Sequence, residues 1–496
     1  MRLRSLTAIA CIGLMAMVGC SAPPNLSPAS ALASTAVNSA APRPNIIVIM
    51  VDDLGYADVS AYGINRLPTP NIDRIGNDGV KFTDAYVTAP VCAPSRAALN
   101  TGRYQNRFGF EFNNGPGSRD SEERLGLPTS EVTIAQELKS LGYTTGLIGK
   151  WHLGSNDEHY PTNRGFDDFV GILTGATMYI DPNVPGVRSL YTGEAATGAY
   201  ITRGQYGQVV EGPDREVVHN EREYLTDYFG RRAVESVRSY AAADNPYFLY
   251  LGFTAPHDPM VVTEKYYNRF PHIESELHRI YAAMVSALDD AVGTVLDAVE
   301  ASGEADNTII FFLSDNGCAA YYPGMCSCEP LRGGKLSHYE GGVRVPFLMR
   351  WPAELEGGQV FREVSSSMDI FPTLIEAAGG KLRTDRVYDG VDLMPFLKGE
   401  RAGPPHTELV WRRQPMVSIR KGDWKLWKSL TGEYTLLFNL KDDLNEASNV
   451  AAENPEIVRE LEAAIEQWGE DMVDPAWPSR PANTYSVCGT PFTLPI

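Results

Sequence analysis

The amino-acid sequence predicts an α/β protein: a large domain with a mostly parallel central sheet flanked by helices, and a smaller C-terminal antiparallel sheet packed with a helix. Two observations lead to this prediction. Between about residues 44 and 400, short apolar runs alternate with several amphipathic stretches of helical length, as in strands buried between helices. After about residue 405 the pattern changes to short, closely spaced strands followed by one helical stretch.

The predicted strands of the large domain are continuous apolar runs, as expected when helices cover both faces of a sheet. The first such run is Asn45–Val51. Helices are predicted where apolar residues recur with helical spacing, notably at Leu277–Ala301 and Met368–Ala378. The other predicted strands are Thr144–Ile148, Tyr247–Phe253, Thr308–Leu313 and Val343–Met349.

The C-terminal part is predicted to be a separate subdomain over residues 401–496, following the large α/β domain over residues 44–400. Its helix is expected near Pro455–Trp468, where apolar residues again follow a helical period. Its predicted strands are Leu409–Arg412, Met416–Arg420, Trp424–Trp427 and Tyr434–Leu440.

The N-terminus predicts export from a bacterial cytoplasm. Residues 1–19 combine two arginines with an apolar run too short to span a bilayer, which is the layout of a signal peptide. The run ends in a segment similar to a lipoprotein signal, with Cys20 as the residue to be lipidated. Residues 20–43 are rich in Ala, Ser and Pro and are predicted to be a tether. The expected location is therefore the cell envelope, at the outer membrane or in the periplasm; cleavage near Ala36 would instead release a secreted protein.

The charge of the chain bears on its partners. With 62 acidic and 43 basic residues the formal net charge is −19, and loss of the signal peptide makes it more negative still. Such a protein is not expected to bind nucleic acid or anionic lipid, so a membrane partner is expected only through a lipid anchor. An anionic substrate remains compatible, because a local cluster of cations can dominate the potential inside a cleft.

The cysteines that remain after the two N-terminal ones and Cys92 predict disulfides. Four is an even number, and an exported protein folds in an oxidising compartment, so two disulfides are expected, with the pairing left open. A zinc site that includes the Cys326-x-Cys328 pair is the alternative. The four residues are Cys318, Cys326, Cys328 and Cys488.

Polar side chains follow four of the predicted strands, at the point where each strand ends. In open α/β sheets ligands bind beyond the carboxyl ends of the strands, so these side chains are expected to converge. Three carboxylates and one amide provide oxygen ligands only, which favours a hard cation such as calcium over zinc. The residues concerned are Asp52 and Asp53, Lys150 and His152, His257, and Asp315 and Asn316.

Three longer motifs carry a family resemblance. Cys92-Ala93-Pro94-Ser95-Arg96, the segment Gly149–Gly154 with Arg164–Asp167 downstream, and the segment Leu331–Pro346 occur in this order. Together they resemble the formylglycine-dependent type I sulfatases, which are arylsulfatase-like members of the alkaline phosphatase superfamily. The resemblance extends from Asn45 to about Trp468 and implies hydrolysis of sulfate esters.

The resemblance also implies how the site is made. A formylglycine-generating maturation enzyme would oxidise Cys92 to an aldehyde, whose hydrate supplies the nucleophilic oxygen. The positions that match the family's metal ligands would bind one Ca²⁺ ion, or less commonly Mg²⁺. If Pro94 begins a helix, Arg96 lies one turn after residue 92 and would orient both this residue and the cation. The implied metal ligands are Asp52, Asp53, Asp315 and Asn316, together with the modified Cys92.

The same resemblance implies catalytic roles for four further residues. Lys150 and Lys335 would stabilise negative charge on the sulfuryl oxygens. His257 would protonate the leaving alcohol, and His152 would then remove a proton so that sulfate is released and the aldehyde is restored. A dication with Arg96 and the two lysines outweighs the three carboxylates, so the pocket suits an anionic ester.

The substrate is predicted to be a sulfated polysaccharide or oligosaccharide. One alternative is a phosphonate or phosphodiester hydrolase of the same superfamily, although those tend to carry His where Asn316 stands. The others are a non-catalytic surface glycan-binding lipoprotein and an enzyme that stays unmodified in its host. Candidate sugar-binding residues, chosen by position or charge, are Asp157, His159, Arg188, Arg203, Arg332, His338 and Arg412.

Overall fold

The computed structural model describes residues 43–63, 67–114, 125–190, 208–218, 222–326 and 329–479, together with two strands near the C-terminus. In chain order the strands are β1 Asn45–Val51, β2 Val80–Phe82, β3 Ala85–Tyr86, β4 Thr144–Lys150, β5 Asp168–Ile172, β6 Val187–Ser189, β7 Val210–Glu211, β8 Glu216–Val217, β9 Tyr247–Gly252, β10 Val261–Thr263, β11 Thr308–Ser314, β12 Phe347–Arg350, β13 Gln359–Phe361, β14 Ser365–Ser366, β15 Glu408–Arg413, β16 Met416–Lys421, β17 Trp424–Ser429, β18 Thr435–Asn439, β19 Asn483–Val487 and β20 Thr490–Leu494. The α-helices are α1 Pro70–Asn77, α2 Cys92–Thr101, α3 Ile134–Ser140, α4 Leu225–Ala241, α5 Glu264–Tyr267, α6 Glu276–Ala301, α7 Glu340–Val343, α8 Ile370–Ala377, α9 Met394–Leu397 and α10 Pro455–Gly469.

The central sheet is parallel in its middle and mixed towards its edges. Its order is β13-β2-β12-β11-β1-β9-β4-β5-β7-β8. The five strands from β11 to β5 run parallel, whereas β12 pairs antiparallel with β11 and β7 with β5. The carboxyl ends of the parallel strands therefore meet at one edge of the sheet.

Both faces of this sheet are covered by helices. The odd-numbered residues of β1 from Ile47 onward belong to a buried cluster that includes side chains of α1, α4 and α6. The even-numbered residues from Ile46 onward belong to a second cluster, with side chains of α2, α3 and α8. The two clusters explain why β1 is apolar at every position from Ile46 to Val51: each face of the strand has its own core.

The C-terminal sheet is a four-stranded antiparallel meander of β15, β16, β17 and β18. Leu461 and Ile465 of α10 share a buried cluster with Val417 and Leu426 of the sheet. The predicted fold class is thus confirmed, with a parallel-rich α/β sheet and a small antiparallel sheet carrying one helix. The domain boundary near residue 400 stays a prediction.

One predicted strand begins later than expected. Val343 ends α7 instead of opening a strand, and β12 begins only at Phe347. Pro346 has no N–H to donate to a strand ladder, so regular pairing starts after it. The strand also runs antiparallel to β11, because it returns from the site edge of the sheet.

Cys318 and Cys326 form a disulfide. The bond removes Cys326 from the alternative zinc site. Cys328 and Cys488 lie outside the described residues, as do the predicted signal peptide, the lipidation candidate Cys20 and Arg203. Among the described helices, none combines the length and the apolar character needed to cross a bilayer.

Candidate active site

The structure brings all of the sequence-predicted catalytic and metal-binding residues to one edge of the central sheet. Asp52 and Asp53 follow β1, Lys150 ends β4, and Asp315 follows β11. His257 lies in the turn after β9, which is parallel to β1 and β4. The edge is the one expected from the general rule that ligands bind beyond the carboxyl ends of parallel strands.

Helix α2 places residue 92 beside the first strand. The helix begins at Cys92 itself, two residues before the predicted start at Pro94. Cys92 is buried, and its Sγ lies 3.3 Å from Oδ1 of Asp52. Val91 at the N-cap provides no side-chain hydrogen bond, and Asn113 accepts one from the amide of Ala93 instead, at 3.1 Å. A side chain from elsewhere in the chain thus satisfies an amide of this helix end.

Arg96 joins two of the strand ends. Its side chain is fully buried; Nε donates to Oδ2 of Asp315 at 2.9 Å, and Nη2 lies 2.8 Å from the same oxygen. Nη1 donates to the backbone oxygen of Lys150 at 3.0 Å. Arg96 therefore holds the Asp315 carboxylate against the end of β4, which agrees with an orienting role.

Two buried lysines pair with the carboxylates that follow β1. Nζ of Lys150 lies 2.5 Å from Oδ2 of Asp52, and Nζ of Lys335 lies 2.8 Å from Oδ2 of Asp53. Buried ion pairs of this kind exact a desolvation cost that hydrophobic residues would avoid. Their occurrence side by side in a polar cluster indicates a functional site.

Several potential metal ligands of the site lie close together. Ligand atoms of Asp52, Asp53, Cys92 and His257 all lie within 4.8 Å of one another. Asn316 donates from Nδ2 to Asp53 Oδ1 at 2.7 Å, and its own Oδ1 is buried without a hydrogen-bond partner. An unpartnered buried acceptor next to carboxylates fits a ligand of a divalent cation.

Burial and mutual repulsion shift the pKa values of the acidic groups. Burial raises the pKa of Asp315 to about 6, and the neighbouring Asp52 carboxylate adds to this effect. At Asp52 burial is outweighed by Lys150, His257 and Arg96, so the pKa lies well below its usual value. Burial, followed by Asp315 and Asp52, raises the pKa of the Cys92 thiol well above its usual value. The unmodified thiol is consequently a poor source of thiolate.

The two histidines of the site differ in their surroundings. Burial, together with Lys150 and Arg96, lowers the pKa of His152 well below its usual value, which favours the neutral form of the ring. Nε2 of His257 lies 3.6 Å from Oδ2 of Asp53, and Nδ1 lies 2.6 Å from the backbone oxygen of Asp258. When Nδ1 donates to that oxygen, Nε2 is the ring nitrogen that faces the site.

Three residues of the site adopt left-handed backbone conformations that side chains disfavour. Asp53 has φ of 64°, His152 of 58°, and Leu336, next to Lys335, of 77°. Such conformations cost free energy and are retained mostly where function requires them. At Asp53 and His152 they turn the chain immediately beyond a strand end, which is where the predicted catalytic side chains lie.

The sugar-binding candidates are spread over the described surface and interior, and their role stays a prediction. Nη2 of Arg412 lies 2.8 Å from Oε2 of Glu111, and Nη1 of Arg332 donates to the backbone oxygen of Glu446 at 2.6 Å. The other described candidates are Asp157, which pairs with Arg215; Arg188, which pairs with Glu264; His159, buried against Gly126 and Gly154; and His338, buried near Trp427.

Two contributors to the site were not predicted from the sequence. Asn113 bonds to the amide of Ala93 from 20 residues away, and Tyr179 contacts the backbone of His257 from 78 residues away. Neither lies in a recognisable motif, and both contacts depend on how distant segments pack. No local sequence signal could have found them.

Comparison with known proteins agrees with this site. Residues 44–380 match the family described as Sulfatase, and residues 334–471 match N-sulphoglucosamine sulphohydrolase, C-terminal. Steryl-sulfatase of Mus musculus is 35% identical over 423 residues, covering 74% of this chain and 67% of the relative. N-acetylgalactosamine-6-sulfatase of Rattus norvegicus is 32% identical over 410 residues, covering 80% and 74%.

A solved structure extends the comparison to the fold. Ps i-CgsB, determined in complex with k-i-k-neocarrahexaose, is 34% identical to this chain with a TM-score of 0.77. The match covers 88% of this chain and 95% of the other.

The α/β fold and its cluster of carboxylates, lysines and histidines define a hydrolytic enzyme. More specifically, the chain belongs to the sulfatase family, as a type I member. It is accordingly an enzyme that hydrolyses sulfate esters. The family generally uses formylglycine and a divalent metal, and the structure contains a candidate acidic metal site.

Proposed function

We propose that this enzyme removes sulfate from sulfated polysaccharides or oligosaccharides, using formylglycine made from Cys92 and one Ca²⁺ ion. The observation that carries the proposal is the position of Cys92. It is the first residue of α2, with its sulfur 3.3 Å from Asp52, in a site that also contains two buried lysines. Because burial raises the pKa of the thiol well above its usual value, an oxygen nucleophile at this position explains the arrangement better.

The aldehyde hydrate would supply one hydroxyl to attack sulfur and a second whose deprotonation releases sulfate. Lys150 and Lys335 are assigned to stabilise negative charge on the sulfuryl oxygens; in support, their ammonium groups lie beside Asp52 and Asp53, in the same site as residue 92. His257 is assigned as the donor of a proton to the leaving oxygen. His152 is assigned as the acceptor of the second proton, in agreement with its neutral state.

Calcium is proposed from the chemistry of the donors. Asp52, Asp53, Asp315 and Asn316 offer only oxygen atoms, which suits a hard cation with variable geometry. When bound, the ion would supply positive charge beside the nucleophile and offset the three buried carboxylates. The buried, unpartnered Oδ1 of Asn316 is the atom that most directly supports a ligand role.

The glycan substrate is supported by similarity. Ps i-CgsB, which is 34% identical and covers most of this chain, was solved with k-i-k-neocarrahexaose, and N-acetylgalactosamine-6-sulfatase is 32% identical. The net charge of −19 does not oppose an anionic glycan, because the lysines and Arg96 lie inside the site.

Maturation and export complete the proposal. Cys92 is only 1% exposed in the folded chain, so a maturation enzyme must reach it before the chain folds around it. The enzyme would be exported and anchored in the cell envelope by lipidation of Cys20, or secreted if cleavage falls further along. Membrane fractionation of cells that produce the wild type or a Cys20→Ala variant distinguishes these locations: only an anchored enzyme moves to the soluble fraction on substitution.

The proposal is tested by peptide mass spectrometry and a panel of sulfated glycans. The enzyme is produced with competent maturation machinery, and the peptide that contains residue 92 is expected at the mass of the aldehyde. The same preparation is expected to release sulfate from at least one sulfated oligosaccharide in the panel. Unmodified thiol despite competent machinery would remove the proposed nucleophile and favour a glycan-binding role.

A Cys92→Ser variant separates nucleophilic attack from turnover. A serine oxygen can accept the sulfuryl group, but it lacks the second hydroxyl whose deprotonation would release it. We expect intact-mass analysis to show a sulfated enzyme and steady-state assays to show no sustained turnover, with Cys92→Ala as the control that accepts no sulfate. Multiple turnovers by the serine variant would rule out this role of residue 92.

A further inference from the structure

The segment that follows β5 runs past both histidines of the site. We refer to residues 173–180 as the β5 segment. The strand before it lies beside β4, and the amide of Trp151, between Lys150 and His152, donates to the backbone oxygen of Ile172 at 2.9 Å. The segment therefore starts next to His152 and continues towards the turn that carries His257.

Gly175 of the β5 segment lies directly against the ring of His152. A Cβ added at this glycine would be 2.8 Å from Cε1 and 2.9 Å from Nε2 of the histidine, closer than real side chains approach. The ring is 4% exposed, and its buried Nδ1 makes no hydrogen bond. Because no hydrogen bond to Nδ1 fixes the ring of His152, its position depends on packing, and Gly175 is one of its close neighbours.

Tyr179 of the same segment holds the turn that presents His257. The amide of His257 donates to the backbone oxygen of Thr254 at 2.9 Å, which closes the turn. The Tyr179 hydroxyl lies 2.6 Å from that oxygen and 2.9 Å from the backbone oxygen of His257, and it shares its hydrogen between them. Tyr179 is fully buried, so this bond is shielded from water.

We propose that the β5 segment is a common support for both proton-transfer groups of the site. Gly175 would set the position of His152, and the Tyr179 hydroxyl would set that of His257; both are positioning residues. The inference rests on the proposed roles of the two histidines and adds to them the part of the chain that keeps the two rings in place. Geometric control of this kind matters because proton transfer requires the two heavy atoms within hydrogen-bond reach.

The Tyr179→Phe variant isolates the hydroxyl. The ring of Tyr179 packs on that of Tyr224, with centroids 5.8 Å apart, and the backbone oxygen of Tyr179 accepts from the amide of Leu225 at 2.8 Å. Both contacts survive the substitution, so the variant should fold. Tyr143→Phe is the matched control, because Tyr143 is also buried and its hydroxyl donates to a backbone oxygen, that of Pro44, at 2.9 Å.

The effect of Tyr179→Phe is measured as the change in kcat on two substrates with different leaving groups. A displaced general acid matters most for a poor leaving group, such as the alcohol of a sugar, and least for nitrophenol. We expect kcat on a cleaved sulfated oligosaccharide to fall about tenfold or more, and kcat on nitrophenyl sulfate to fall less than about threefold. The Tyr143→Phe control should change neither.

Double-mutant cycles connect each support to its histidine. If Gly175 acts through His152, then Gly175→Ala should lower kcat in the wild type and have little further effect in a His152→Ala background. The same holds for Tyr179→Phe in a His257→Ala background. Gly230→Ala is the control for added bulk, because a Cβ there would lie 3.0 Å from Ala291 in the helix packing, away from the site. If Gly175→Ala is poorly folded, the His152→Ala background should restore its folding by removing the clashing ring.

The outcomes separate this inference from the proposed function. If His257→Ala shows the leaving-group dependence and Tyr179→Phe does not, the support role of Tyr179 is overturned while the role of His257 stands. Multiplicative effects in both cycles would likewise overturn the inference. If His257→Ala itself shows no such dependence, the proposed role of His257 fails, and the inference about Tyr179 fails with it. If the wild type releases no sulfate from any ester, the proposed function fails.

Discussion

Asn316 is the residue whose side chain most directly indicates a metal site, through its Oδ1 atom. Its Nδ2 donates to Asp53, while its Oδ1 is buried beside carboxylates without a hydrogen-bond partner. Leaving a buried acceptor unsatisfied costs about 1 to 3 kcal/mol, which a bound cation would offset. The other donors of the site are carboxylates that also have lysine or arginine partners, so the amide oxygen is the donor with no competing role.

Replacing Asn316 by alanine should therefore weaken calcium binding more than it weakens folding. We expect the affinity of the metal-free enzyme for Ca²⁺ to fall by about tenfold or more, as for the loss of other groups that support metal sites. Isothermal titration measures the affinity, and the rise of Tm with added Ca²⁺ should shrink in parallel. Asn183→Ala, at an exposed asparagine, is the control. An unchanged calcium affinity in Asn316→Ala would contradict the ligand assignment.

Among the elements, α8 is tied to the start of the C-terminal sheet by a histidine. His406, two residues before β15, lies with Nε2 2.7 Å from Oδ1 of Asp369 in the turn that opens α8. The same carboxylate accepts from the amides of Ser366 and Val391 at 2.8 and 2.9 Å. Although burial alone would lower it, the carboxylate raises the pKa of His406 above its usual value.

This ion pair predicts a pH-dependent contribution to stability. Because the pKa is higher in the folded than in the unfolded state, the contribution is fully present below the unfolded value of about 6.5 and is lost as pH rises through the folded value. We expect the difference in Tm between wild type and His406→Gln to be largest near pH 6 and to shrink as pH increases. Thermal unfolding followed by circular dichroism measures it.

The control for this experiment is His272→Gln, at an exposed histidine. It should leave Tm almost unchanged across the same pH range, since surface substitutions usually alter stability only slightly. A constant difference between wild type and His406→Gln at all pH values would show that the charge of His406 makes no contribution.

For the molecule as a whole, buried charges connect the two sheets. Lys425 of β17 lies with Nζ 2.8 Å from Oε1 of Glu340 and 3.3 Å from Oε1 of Glu446, and all three side chains are at most 1% exposed. Glu340 belongs to α7, in the segment between Lys335 and β12 of the central sheet. The C-terminal sheet is therefore bonded to the segment that also carries Lys335, for which a catalytic role is proposed.

Removing this lysine should destabilise the whole molecule. Lys425→Met leaves two buried carboxylates without their shared cation, and breaking a buried pair by removing one partner typically costs about 3 to 5 kcal/mol. We expect that loss in the free energy of unfolding from urea denaturation. Lys421→Met, which removes an exposed pair with Glu460, should cost less than about 1 kcal/mol. Equal effects of the two variants would show that the buried cluster does not join the sheets.

Much of the fold and site could be predicted because the relevant signals are local. The strand ends and helix bounds of the large domain follow apolar periodicity, as at β1 and α6, and the catalytic groups lie in contiguous motifs around Cys92, Lys150 and Lys335. The error at β12 arose where Pro346 interrupted an apolar run. The role of Asn113 could not be predicted, because nothing near it in the chain shows that it would cap α2.

By itself the sequence determined the fold class and predicted a family-like set of candidate catalytic residues, since periodicity and short motifs involve neighbouring positions in the chain. Only the tertiary structure decided which distant residues support them. Tyr179 contacts His257, which lies 78 residues away along the chain, and Lys425 contacts Glu340, which lies 85 residues away. Such contacts depend on how helices and sheets pack, and many alternative side chains satisfy the same local pattern. The identity of the supporting residues is for this reason a property of packing.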